Sequence, residues 1–230
     1  MSRKKVPVHI AIIPDGNRRW AKRRGLAPTL GHKKAAEENI PEILRRARKL
    51  GIKYLTIWVL STENLIKRDK REIAFLFGLL KQLIDKNLAE FIEDDVRFRT
   101  IGDLAKLPKD VQKKLSEAKE KTKNCQSYTF ILAINYGGRD EIVRAVNALL
   151  EKGVKRVDRK LLEEHLDTHF APPPDLIIRT GKEKRLSGFM LWQSEYSELY
   201  FSDLFFPDFT ADEFEKAVRE FGERERRFGK

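Results

Sequence analysis

A single cysteine, Cys125, occurs in the 230-residue chain, which excludes an internal disulfide and suits a reducing compartment. No run of ~18 apolar residues is present and no secretory leader pattern, so neither a membrane span nor export by that route is expected. Nucleotide signatures are missing too. Gly181-Lys182 has no Ser or Thr after it, which argues against a phosphate-binding P-loop, and no GxGxxG turn occurs. Of the four histidines, His9, His32, His165 and His169, only the last two stand at i and i+4, without the thiol or acidic companions that zinc requires. No GxSxG elbow surrounds Ser61 or Ser187. Repeats, low-complexity tracts and a Pro/Gly/Ser-rich linker are all lacking, so residues 1–230 read as one domain.

What the chain has in excess is positive charge: 47 Lys and Arg against 35 Asp and Glu, a formal +12. Acidic partners follow, whether nucleic acid, anionic lipid headgroups or phosphorylated small molecules. The charge concentrates in HIAIIPDGNRRWAKRRG, residues 9–25. Ile10 to Ile13 read as a buried strand and Pro14-Asp15-Gly16-Asn17 as a turn, with Gly16 or Asn17 free to adopt a positive φ. A helix then opens at Trp20 and Ala21. A strand feeding a helix through such a turn offers backbone N–H groups and the positive end of a helix dipole to an anion. Arg18, Arg19, Lys22, Arg23 and Arg24 add charge there, and Asp15 is the only acid among them. A lone carboxylate beside phosphate suits Mg²⁺, which takes one or two carboxylates plus phosphate oxygens.

Further along, Gly31 to Leu50 has a helical pattern closed by Gly51, with Pro41 predicting a bend or a restart from Asn39 as N-cap. Tyr54 to Leu60 reads as a strand running into Ser61-Thr62-Glu63-Asn64. Asp69 to Glu93 reads as a long helix whose apolar stripe is wider than one packing face needs. Val96–Ile101, Tyr128–Ile134, Leu176–Ile178 and Ser197–Phe201 read as strands. Helices are predicted over 108–123, 140–152, 158–169 and 211–226. This alternation predicts an α/β domain with a central, mainly parallel six-stranded sheet flanked by helices. Ligands of such sheets bind beyond the carboxyl ends of the strands. The polar segments 15–17, 61–64, 135–139 and 179–181 should therefore meet at one edge. Many arginines, one turn carboxylate and an apolar wall together suit a diphosphate carrying a hydrocarbon tail, with Arg19, Arg179 and Arg185 able to grip phosphate oxygens.

The segments HIAIIPDGNRRWAKRRG, Gly31-His32, STEN at 61–64, RFRTIGD at 97–103, NYGGRDEI at 135–142, RTGKEKRLSGFMLWQSEYSELYF at 179–201 and RRFG at 226–229 resemble the cis-prenyltransferases, the family of undecaprenyl and dehydrodolichyl diphosphate synthases. The likeness runs in order along nearly the whole chain. It implies Mg²⁺-dependent addition of isopentenyl diphosphate to an allylic diphosphate, forming cis-polyprenyl chains in an apolar tunnel. By that resemblance Asp15 is the Mg²⁺ aspartate, with Glu198 a second acid of the metal. Gly16, Asn17, Arg18, Arg19, Trp20 and Arg23 cradle the allylic diphosphate, and His32 lies near the leaving diphosphate. Ser61 and Asn64 assist removal of the isopentenyl proton, with Glu63 alongside. Arg179, Arg185 and Ser187 clamp isopentenyl diphosphate, and Lys67 or Arg68 fills an arginine position displaced by one residue. Arg227 and Gly229, in a tail over about 222–230, complete the partner subunit's site, which implies a homodimer.

The sequence departs from that family's pattern at Lys182, where a glycine is usual, and at Pro28, Ala35 and Leu65. Asp94-Asp95 continues into Val96, Arg97 and Phe98, so the DDxxD of trans-prenyltransferases is absent. Tunnel depth should depend on Trp58, Val59, Phe75 and Phe77. A cytoplasmic protein with peripheral membrane contact is expected, because the products are lipids. Two other readings compete. A non-catalytic partner subunit would have no need of Asp15, Arg19, Ser61, Asn64 and Arg179. A nucleic-acid binder would expose aromatics in a basic groove, whereas most of these aromatics fall in strand or helix-core patterns, so no nucleic acid is expected.

Overall fold

Six strands, all parallel, form one sheet in the computed structural model, which describes residues 6–223. They are β1 (His9–Ile13), β2 (Tyr54–Ser61), β3 (Val96–Ile101), β4 (Tyr128–Tyr136), β5 (Leu176–Arg179) and β6 (Glu198–Phe201). Their order across the sheet is β3-β4-β2-β1-β5-β6. The chain leaves β1 toward one edge and later crosses to the other side, so the winding reverses at β1. That reversal opens a crevice beyond the carboxyl ends of the central strands.

Every residue of β1, β4 and β5 is buried, as expected of parallel strands covered on both faces. Alternation sends Ile10, Ile12, Leu55, Ile57, Phe98 and Phe130 to one face, where helices pack on them. These helices are α3 (Ile40–Lys49), α5 (Lys70–Glu93), α6 (Lys109–Lys121) and α9 (Ala211–Glu223). Ala11, Ile13, Ile131, Ala133 and Ile177 point the other way, against Phe189 and Met190. α7 (Gly138–Glu151) and α8 (Arg159–Glu163) pack together through Ala145, Leu162 and Leu166. The broad stripe of α5 is divided between this core and the cavity described below.

Three short helices surround the crevice: α1 (Asn17–Arg23), α2 (Pro28–Lys34) and α4 (Thr62–Lys67). Pro28 occupies the first position of α2, where its fixed φ and missing N–H are favourable. An α-helix does restart after Asn39, as one of the two expectations had it, but out of a helical turn rather than out of a capped break. A π-helical segment, Ala35–Asn39, joins α2 to α3 and leaves Pro41 in the first turn of α3, where a donor is not needed. Asn39 does stand at the N-cap position of α3, but it is itself helical and its side chain makes no cap hydrogen bond. Its side-chain amide instead donates to the carbonyls of Phe206, Pro207 and Phe209. The predicted helix over 158–169 stops at Glu163. Asp167 is drawn away to accept from the Gly102 N–H at 2.8 Å and from Arg144 at 2.6 Å.

Candidate active site

Beyond the ends of β1, β2 and β5 lies a cavity of about 1090 Å³. Its deep wall is apolar, formed by Leu76, Phe77, Leu79, Leu80 and Leu83 of α5 with Val59, Ile40 and Phe206. Asp15, Gly16, Asn17, Arg18, Arg19, His32, Ser61, Glu63, Asn64, Arg68, Arg179 and Ser187 all line it as well. Trp58 contributes to the lining and stacks on Phe189 with ring centroids 4.9 Å apart. Phe75, expected in the tunnel wall, is not part of the lining.

Asp15 sits two residues past the end of β1 and gathers cations. Its Oδ1 accepts from the Gly16 N–H at 2.6 Å and lies 3.2 Å from Arg19; its Oδ2 accepts from Arg179 at 2.9 Å. Gly16 has φ of 99°, and a Cβ there would lie 2.5 Å from the Phe205 ring, so only glycine fits. Arg179, at the end of β5, is locked: its Nη1 donates to the Ser187 hydroxyl at 2.7 Å and to the Arg185 carbonyl. Asn17 donates to the Pro14 carbonyl while its Oδ1 is buried without a partner.

Across the mouth, Glu72 of α5 ties a second cationic group together. It accepts from Arg68 at 3.1 Å and lies 3.9 Å from Arg18 and 3.8 Å from His32. Burial and the nearby Arg68 and Arg18 lower the His32 pKa to about 4. His32 is therefore neutral at pH 7, and its approach to Glu72 is not an ion pair there. Its Nε2 is buried and has no hydrogen-bond partner, which leaves a ring nitrogen free to meet a ligand. Ser61 is the N-cap of α4, its Oγ accepting from the Asn64 N–H at 3.0 Å.

Several expected site residues stand elsewhere. Trp20 is buried outside the cavity, with its indole N–H on Asp208 at 2.7 Å. Arg23 lies over the Phe205 ring, 4.8 Å from its centroid. Lys67 is exposed at the end of α4, and of the pair considered it is Arg68 that reaches the cavity. Arg185 reaches outward to Glu183. Glu198 begins β6, opposite Leu176, whereas Asp15 follows the far end of β1. Strand rise separates those two levels by roughly 10 Å and the intervening β5 adds roughly as much sideways, so Glu198 stands apart from Asp15 within one chain. The 135–139 segment does not line the cavity either. It serves as support: Gly138 N–H donates to the Gly188 carbonyl at 2.7 Å, and Tyr136 donates to Glu141 at 2.7 Å. Arg227 and Gly229 lie outside the described residues.

Two contributors escaped the sequence reading, Glu72 and Phe205. Glu72 is legible as an acid in the first turn of a capped helix, but its partners come from other segments. Phe205 lies under Arg19 and Arg23, 5.4 and 4.8 Å from their guanidinium carbons, and no local pattern marks it.

Among the described residues no cluster of three or more acids, histidines or cysteines could cage an ion. The donor set nevertheless fits a hard divalent cation that draws most of its oxygens from substrate phosphate and water, since Asp15 offers a partly exposed carboxylate at the cavity mouth.

A profile of the undecaprenyl diphosphate synthase family of prenyltransferases matches residues 13–229. The chain belongs to this family. An isoprenyl transferase of Thermotoga maritima is 46% identical over 98% of this chain and 97% of that protein. One from Treponema denticola is 42% identical over 96% of each. Among solved structures, lavandulyl diphosphate synthase from Lavandula x intermedia, in complex with dimethylallyl diphosphate, superposes with a TM-score of 0.92 at 39% identity, covering 98% of this chain and 99% of that one. A probable undecaprenyl diphosphate synthase from Campylobacter jejuni gives 0.83 at 38% identity, covering 98% and 100%. The family places a prenyl diphosphate chemistry in a chain whose cationic rim opens onto an apolar cavity.

Proposed function

We propose that the protein condenses isopentenyl diphosphate with an allylic diphosphate to extend a cis-polyprenyl diphosphate, with Mg²⁺ held by Asp15 and substrate oxygens. The 2.9 Å contact between Asp15 and Arg179, at the rim of an apolar cavity of about 1090 Å³, carries this reading. Two diphosphates need two cationic stations, and two are present: Arg18, Arg19 and Arg68 around the Gly16 turn on one side, Arg179 beside Ser187 on the other.

In the reaction the allylic C–O bond breaks, a C–C bond forms to isopentenyl diphosphate, and a proton leaves the condensed chain. The bound metal supplies charge neutralisation at the departing diphosphate. Arg19, Arg68 and the Gly16 and Asn17 turn stabilise the same growing negative charge from fixed positions. Neutral His32 presents its unpartnered Nε2 to the cavity, suited to a hydrogen bond with a leaving oxygen. Ser61 and Asn64, side by side at the start of α4, orient the isopentenyl group, and Ser187 with Arg179 holds its diphosphate. The apolar wall dissolves the growing chain and excludes water from the cation-like centre.

The active form is a homodimer in which Arg227 and Gly229 complete the partner's site, and the lipid product brings the enzyme to the membrane surface as a peripheral cytoplasmic protein. No helix of the described residues is long and apolar enough to cross a membrane. The test is incorporation of radiolabelled isopentenyl diphosphate into solvent-extractable lipid, with Mg²⁺ and a set of allylic primers. Wild type should form labelled lipid. Asp15→Ala should lose at least about 100-fold, the scale for removing a group that stabilises transition-state charge. A wild type inactive with every primer overturns the reading.

A further inference from the structure

Arg19 and Arg179 line the cavity on the β5 side and Arg185 stands just outside the lining, and of the three only Arg179 is locked in place, its side chain 6% exposed between Asp15 and Ser187. Arg19 and Arg185 are more exposed, at 42% and 61%, and one carboxylate holds both. Glu183 Oε1 accepts from Arg19 Nη1 at 3.1 Å, while Oε2 accepts from Arg185 Nη1 at 2.5 Å. A carboxylate spread across two guanidinium groups, one from α1 and one from the loop after β5, has the donor pattern of a bound phosphate.

The loop is built to hold it there. Gly181 has φ of 87°, and a Cβ on it would come within 2.9 Å of Arg19 Nη2 and 3.0 Å of the Asp15 carbonyl. Lys182 is left-handed as well, at φ 69°, a costly conformation for a side-chain-bearing residue. Its N–H is fixed on the Ser202 carbonyl, and that of Gly181 on Leu204. The backbone preceding Glu183 is thus pressed against Asp15 and Arg19.

We propose that Glu183 is a specificity-determining residue, a built-in anion that a substrate diphosphate must displace from Arg19 and Arg185. This rests on the reading of the mouth as a diphosphate site. A diphosphate brings more charge and more acceptor oxygens than one carboxylate and can replace both contacts. A single phosphate gains less from the exchange, so the bridge raises the threshold against abundant small anions.

Inorganic pyrophosphate and inorganic phosphate, titrated calorimetrically into the full-length protein at fixed ionic strength, test this. Wild type is compared with Glu183→Gln and Glu183→Asp, without and with Mg²⁺, after thermal melts confirm folding. Glu183→Asp keeps the charge but is one methylene shorter and cannot span both arginines. Without metal, both variants should bind pyrophosphate about five- to tenfold tighter, since two partly exposed ion pairs no longer compete. Phosphate should gain by no more than the same factor, since at most the same two ion pairs stand in its way. Tightening in Glu183→Gln alone would show a general charge effect and overturn the proposal, as would unchanged affinity in both. Weakening confined to the Mg²⁺ titrations would make Glu183 a metal ligand and overturn it too. Failure of wild type and variants alike to bind pyrophosphate, with or without metal, overturns the diphosphate reading of the mouth, and the bridge with it.

Discussion

Both ring nitrogens of His9 are engaged inside the protein, Nδ1 with the Pro172 carbonyl at 2.6 Å and Nε2 with the Thr56 hydroxyl at 2.8 Å. Burial lowers its pKa to about 4, outweighing the opposing pull of the Pro172 carbonyl and Asp175. His32 shifts in the same direction and by a similar amount. Unfolded histidine titrates near 6.5, so between about pH 6.5 and 4 the unfolded chain binds protons that the native chain refuses. Stability is therefore full above that window and falls as the pH drops through it, by on the order of 3 kcal/mol for each such residue. Urea midpoints measured at pH 7 and pH 5 should fall clearly for wild type. In His9→Gln the protein should be weaker at pH 7, but its further loss at pH 5 should be about half that of wild type, with His32 still contributing. An unchanged loss would remove His9 as a source of the acid sensitivity. Nothing in the local sequence marks His9 and His32 for these shifts. Burial by distant segments makes the difference.

At the level of elements, local pattern and final structure agree where local forces dominate. The strand read over Val96–Ile101 has those bounds, and the α5 helix begins one residue after its Asp69 cap. They part where long-range contacts intervene, as when Asp167 leaves its helix for Arg144, or the π-helical turn absorbs Pro41. The STEN segment was legible as polar chemistry after a strand, but its helix, α4, is too short to show a period. Its formation depends on Ser61, which serves both as the α4 cap and as part of the cavity wall. Substitution can separate those roles. Ser61→Ala should lose about 1 kcal/mol of capping, lowering Tm by about 2–4 °C in a chain of this size, together with most transferase activity. Ser61→Asn retains a capping oxygen without the hydroxyl, so its Tm should return toward wild type while the rate stays low. Recovery of both in Ser61→Asn would mean that the serine only starts the helix.

For the whole molecule, sheet order explains why so much of the site could be read in advance. Parallel strands deliver all their carboxyl ends to one side, so segments more than 160 residues apart, such as those of Asp15 and Arg179, become neighbours at 2.9 Å. The same logic places Glu198, at the start of its strand, on the side away from Asp15. The family match extends past the described residues, to residue 229. If the C-terminal tail acts on the partner's site, two defective chains should complement each other. Asp15→Ala has an inactive site of its own but an intact tail, and a chain lacking residues 224–230 has an intact Asp15 but no tail. Each alone should be nearly inactive while keeping a normal melting temperature. When the two are unfolded together and refolded, about half of the dimers form as mixed pairs under random assortment. Each mixed dimer contains one site with a working Asp15 and the other subunit's tail, so the mixture should recover about a quarter of wild-type activity per subunit. A tail that serves its own chain gives no such recovery, because no chain in the mixture then carries both parts. Sedimentation of the wild type as a monomer under assay conditions would exclude the exchange from the outset.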